Sequence, residues 1–274
     1  MTAINNEKPP AEFRGAVARR VNAERLVLLG WSRAILLQFA HPLIAAGVYD
    51  HSTFRTTPWA ATQRLRQTVR AMLALTFGRE ADAERAIERI RAIHRGVRGE
   101  LRCAVGPYRA GTPYSADDPA LLLWVHATLL ESVPMFYELL VAPLSQEEHD
   151  AYCRDAAPVA IALGASPDEV PLSRGALVAY LERVYRSGRI SVGAQARELA
   201  ARVVSPFGAL GTPATMVTRS LTIGTLPASL RREYGFRWAP RDRRLFEFVV
   251  PKLRFLRKVA PIATATWGPS RAAI

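Results

Sequence analysis

Between Leu26 and Val48 the sequence reads LVLLGWSRAILLQFAHPLIAAGV, an apolar run long enough to cross a bilayer and too long for a strand. Arg33, Gln38, His41 and Pro42 fall inside it and add several kcal/mol to any insertion into lipid. A helix that is apolar nearly all round is instead expected at the centre of a globular fold, with the rest of the chain built to cover it. The expected break is at His41-Pro42, because proline removes a helical donor and crowds the carbonyl four residues back. Asn22 stands where a cap for this helix is expected.

The other segments follow a helical period, with no convincing run of strand alternation and no internal repeat. YDHSTFRTTPW, from Tyr49 to Trp59, reads as a loop. A second helix is expected from Ala60 to Gly78, with Gly78 at positive φ, and a third from Ala81 to Cys103. Gly106 to Asp117 is turn-rich. Ser115 to Asp118 resembles a capping box, and Pro119 suits a first helical turn. The helix that follows, Ala120 to Ala142, carries a bend at Pro134, and Ser145 with Glu148 opens the next. Later helices are expected over Arg174–Ser187, Val192–Val204, Pro213–Tyr234 and Arg241–Val259. No linker is long or polar enough to divide the chain. The expectation is one all-α domain over 21–274, after a disordered leader at 1–20.

A formal charge of +13 invites a nucleic-acid reading, since phosphate-binding surfaces need cations. Only Lys8, Lys252 and Lys258 are lysines, however, and the arginine and alanine bias is what a high-GC coding sequence yields. No reader motif accompanies the charge, so no nucleic-acid partner is expected. Cys103 and Cys153 form neither a CxxC pair nor a disulfide framework, and the N-terminal residues hold no apolar signal segment. A cytoplasmic protein without an integral membrane span is the expectation; its oligomeric state is open. GxGxxG, P-loop and G-x-S-x-G patterns are absent, which removes the usual nucleotide and hydrolase signatures.

Five histidines remain to be placed: His41, His51, His94, His126 and His149. His149, in QEEHDAY, reads as an exposed residue of a charged turn. His126, in LLLWVHATLL, reads as a core histidine or one pointing into a pocket. None sits in a His-x-x-x-His or Glu-x-x-His pair of metal-binding spacing. His94 is distinguished by RAIHRGVRG, which puts Arg91 at i−3 and Arg98 at i+4 on one face if the helix continues. Arg64 and Thr68 form a similar i, i+4 pair one helix earlier. A neutral imidazole can ligate iron and arginine forks can hold carboxylates, which is the pairing a haem and its propionates require. An arginine-rich solvated helix gives any histidine such neighbours too, and spacing does not separate the two readings.

R-L-R-Q-T from Arg64 to Thr68, followed by R-A-I-H-R-G-V-R from Arg91 to Arg98, resembles two elements of the rubber oxygenases known as latex-clearing proteins: Arg-x-x-x-Thr and Arg-x-x-His-x-x-x-Arg. The same group includes an ER-bound oxygenase of mycophenolic acid biosynthesis. FAHPLIAAGVYDHSTF and DPALLLWVHATLL are similar to its smaller bacterial members, so the resemblance covers about Trp31 to Leu130. It implies a helical domain with a globin-like core around haem b and His94 as the iron ligand. Arg64, Thr68, Arg91 and Arg98 would surround the haem, with dioxygen and a small lipophilic, isoprenoid-like molecule as substrates. In rubber oxygenases a distal glutamate is thought to act as base. No glutamate matches it before Arg64, and His51, Asp50 and His41 are the polar candidates there; His51 is taken as catalytic, with Arg64 and Thr68. Phe39, Trp124, Phe136 and Tyr137 read as apolar pocket walls or as plain core. The alternatives are a non-enzymatic haem- or lipid-binding protein, and a helical interaction protein without cofactor.

Overall fold

In a computed structural model, described for residues 15–52, 58–205, 212–260 and 265–267, the chain is predominantly α-helical. The helices are α1 (Ala16–Ala23), α2 (Leu28–Phe39), α3 (Pro42–His51), α4 (Pro58–Phe77), α5 (Glu80–Arg95), α6 (Pro119–Leu140), α7 (Gln146–Leu163), α8 (Arg174–Arg186), α9 (Ala194–Val204), α10 (Pro213–Thr225), α11 (Ala228–Glu233) and α12 (Pro240–Val259). Two three-residue strands, β1 (Arg98–Glu100) and β2 (Pro113–Ser115), pair antiparallel with Gly99 opposite Tyr114.

The long apolar run becomes two helices, as its His41-Pro42 step requires. His41 is extended at φ −86° and ψ 117°, the conformation that a following proline imposes, and the segments on either side meet at 107°. The carbonyl of Ala40, left without a helical donor, accepts from Ser191 N at 2.8 Å. α2 then lies against α6 at close range. A Cβ on Gly30 would stand 2.9 Å from the Phe136 ring and 3.0 Å from the Ser132 carbonyl, so only glycine allows this approach. Further along the contact Trp124 Nε1 donates to Leu37 O at 3.1 Å, and the fully buried Arg33 donates to Glu131, Ser132 and Thr225 O. α6 is long and apolar enough to cross a membrane, and most of its apolar window is buried inside the protein.

Caps obey local chemistry, with two corrections. Ser145 and Glu148 form the capping box of α7. α6 is capped by Asp118, whose carboxylate accepts from Ala120 N and Leu121 N, rather than by a box on Ser115; such a cap contributes about 0.5–2 kcal/mol. Asn22 caps nothing: it lies within α1, where it accepts from Tyr152 OH at 3.1 Å. That helix begins at Ala16, inside the segment expected to be a leader, because Ala18 and Val21 are buried against the core; residues 1–14 lie outside the described residues.

Other boundaries also move. α3 runs through Tyr49–His51, which were expected in a loop, and the 53–57 part of that loop lies outside the described residues. Gly78 closes α4 without positive φ. Its value is spatial, since a Cβ there would meet Ala74 O at 2.4 Å. α5 stops at Arg95 and Gly96, well short of Cys103, and the chain turns into β1. Pro227 divides the expected Pro213–Tyr234 helix into α10 and α11.

Candidate functional site

Helices α1 to α7 line a cavity of about 490 Å³, within the size range of cofactor and small-molecule sites. Its walls are helical rows. α4 contributes Arg64, Thr68, Met72 and Thr76 at four-residue steps, α5 contributes Ile90, Ile93 and His94, and α6 contributes Val125, His126, Leu129 and Val133. α7 closes it with Tyr152, Ala156, Val159 and Leu163. The lining is mainly apolar, with polar groups at few points.

His94 is one of those points. Its Nδ1 is sealed from solvent and has no hydrogen-bond partner among the described residues. Burial holds the imidazole below its ordinary pKa; Asp117 opposes the shift and the Arg64 charge adds to it. Arg64 has accessible surface because it faces the cavity, yet the protein packed around it lowers its pKa by desolvation. No carboxylate pairs with this guanidinium among the described residues. Thr68 Oγ1 donates to Arg64 O at 2.9 Å, within the same turn.

His51 reaches the cavity from the end of α3. Its Nε2 is 3.0 Å from the Arg98 carbonyl, and its ring meets Tyr114 edge-on with centroids 6.2 Å apart. A carbonyl only accepts, so Nε2 carries the hydrogen and the neutral ring keeps its lone pair on Nδ1. The other two polar candidates are committed elsewhere. Asp50 accepts from Tyr114 OH at 2.9 Å and Arg102 at 2.6 Å, and His41 pairs with Tyr108 OH at 3.0 Å. Neither lines the cavity.

The structure therefore gathers His51, Arg64, Thr68 and His94 around one space and leaves out Arg91 and Arg98. Arg91 is exposed on α5. Arg98 does not share a helical face with His94, because Val97 N closes the helix end on His94 O at 2.9 Å and Arg98 opens β1, where its guanidinium lies 3.3 Å from Asp117. His149 is buried within α7 rather than exposed, its Nε2 3.2 Å from Glu138 Oε1. Phe39, Trp124, Phe136 and Tyr137 are packed core and do not line the cavity. Its aromatic walls are Trp31, Tyr114 and Tyr152, which the sequence reading missed. A signal existed for its far end: the Arg64–Thr68 step continues to Met72 and Thr76, and Thr76 Oγ1 lies 3.5 Å from the Asn22 amide that Tyr152 also engages.

Among the described residues no cluster of three or more His, Cys, Asp or Glu side chains is arranged to hold a metal ion. Cys103 and Cys153 are both free. Compared with known proteins, residues 18–262 match the family described as "ER-bound oxygenase mpaB/B'/Rubber oxygenase, catalytic domain". The uncharacterized proteins Rv2237 of Mycobacterium tuberculosis and Mb2261 of Mycobacterium bovis are each 26% identical over 234 residues, covering 83% of this chain and 87% of theirs. No solved structure matches.

Proposed function

As the chain belongs to the family of the ER-bound oxygenase mpaB/B' and rubber oxygenase catalytic domains, we propose that it is a haem b-dependent oxygenase that oxidises a small lipophilic, isoprenoid-like substrate with dioxygen. One observation carries the haem reading: a neutral histidine and an arginine with no carboxylate partner among the described residues line the same apolar cavity. These are the features by which the chain would hold haem: a His94 nitrogen for its iron, the Arg64 cation for its propionates and apolar walls for its ring. When bound, it supplies the redox-active iron that dioxygen chemistry on an unactivated hydrocarbon requires.

The remaining work falls to side chains. Burial keeps His94 uncharged at neutral pH, so a ring nitrogen has its lone pair free for iron. Arg64 loses hydration in the cavity wall and would recover the cost by pairing with a propionate if haem were bound, and the Thr68 hydroxyl secures the turn that carries it. His51 takes the place of the family's distal glutamate. The Arg98 carbonyl holds its ring in one tautomer, and Nδ1 accepts a proton from the substrate. Arg98 thus contributes its main chain rather than its guanidinium, and Arg91 is assigned no part. Met72, Val125, Leu129 and Val133 exclude water and select an apolar molecule.

Absorption spectroscopy of the purified protein supplied with hemin tests the reading. A saturable Soret band that shifts with dithionite and carbon monoxide is expected. No band at any hemin concentration would remove haem from the site.

A further inference from the structure

α12 carries more apolar surface than the core uses. Its inner face packs Leu245, Phe246, Val249, Val250 and Leu253 on α10 and α6. Its outer face nevertheless leaves Phe248, Phe255 and Val259 at 62%, 61% and 59% exposure. At 100° per residue these three fall within about 40° of one another, and Arg241, Arg244 and Lys252 fall on the same stripe. All six are exposed, and they span nineteen residues, about 27 Å of helix. Lys252 Nζ lies 5.6 Å from the centroid of the Phe248 ring, so cation and aromatic share one patch. The two acidic residues of α12 lie off the stripe: Asp242 accepts from Ala239 N at 2.8 Å at the start of the helix, and Glu247 faces Arg243 at 3.5 Å.

We propose that this stripe is a docking surface for an anionic lipid bilayer, with α12 lying in the plane of the interface. Bulky apolar side chains alternating with cations match a layer of acyl chains under anionic headgroups. Nucleic acid would use the cations and leave the phenylalanines in water. A second copy of the chain in a two-fold contact would bring Arg244 and Lys252 against their own equivalents, charge opposed to like charge. This inference does not depend on haem, and it places the protein where a lipophilic substrate is concentrated.

The test uses the full-length protein and vesicles of phosphatidylcholine with or without phosphatidylglycerol. Phe248→Trp should show a blue shift with the anionic vesicles and none with the neutral ones. Salt should weaken binding, and Arg244→Glu with Lys252→Glu should lower the partition coefficient at least tenfold, about fivefold per cation lost. Phe248→Ser with Phe255→Ser should do likewise at an unchanged melting temperature, since both side chains are exposed. Three results would overturn the proposal. They are an unshifted emission with every vesicle, a blue shift already present without lipid that marks a face covered by the chain itself, and a concentration-dependent dimer abolished by the serine substitutions.

Discussion

Arg64 on α4 and His94 on α5 line the same cavity, and the arginine charge helps to hold the imidazole neutral. On the proposed function, the pair would meet an incoming group that brings both an iron and carboxylates. His94→Ala should abolish hemin retention, read as loss of the Soret band on gel filtration, while His149→Ala, which alters a buried residue of α7 outside the cavity, should keep it. Arg64→Ala should weaken hemin affinity by about 1–3 kcal/mol, the cost of a propionate left without its charged partner. Equal hemin occupancy in all three variants would take both residues out of the site.

Stability should fall in acid for a reason independent of haem. Burial pulls His41 and His126 down to about 4, and the Arg189 charge assists at His41. Both folded values lie below the value near 6.5 of an unfolded chain, so the unfolded state takes up protons first. The stabilisation is therefore full above pH 6.5 and is lost as pH falls towards 4, by about 3 kcal/mol for each histidine. Urea unfolding at pH 7 and at pH 4.5 measures this. His126→Leu should flatten the profile, and an unchanged slope would show that His126 is not buried neutral.

Arg33 fixes the central contact. Its guanidinium meets both Glu131 carboxylate oxygens at 3.0 Å, Ser132 Oγ at 2.7 Å and Thr225 O at 3.0 Å, tying α2 to α6 and α10. Arg33→Ala leaves a carboxylate, a hydroxyl and a carbonyl without their donor beside a new void, and should cost about 3–5 kcal/mol in denaturant unfolding. A loss below about 1 kcal/mol would mean that water replaces the guanidinium without penalty.

How much of this was legible depends on the range of the governing interaction. The break at His41-Pro42 and the Ser145–Glu148 cap follow from chemistry within a few residues, and both were read from sequence. β1 and β2 were not, because three-residue strands are too short to display alternation. The end of α5 was hidden by Gly96, which sits within a run that keeps its helical period through Arg98. His149 was misjudged because the charged residues beside it in sequence lie on other faces of α7. Periodicity also cannot separate a packed wall from a cavity wall. It marked Trp124 and Phe136 as buried, but only the spacing between helices makes them core and leaves Trp31 and Tyr152 at the cavity.

His51 is distinguished from Asp50 and His41 by having both a cavity position and, among the described residues, an unused acceptor. The Arg98 carbonyl 3.0 Å from Nε2 fixes the tautomer and leaves Nδ1 able to take a proton. His51→Phe keeps a ring beside Tyr114 and removes that acceptor, so hemin affinity should be unchanged. Turnover with dioxygen should fall by about 10²- to 10⁴-fold, the range for removal of a general base. A variant that keeps the rate would move the proton acceptor elsewhere in the cavity.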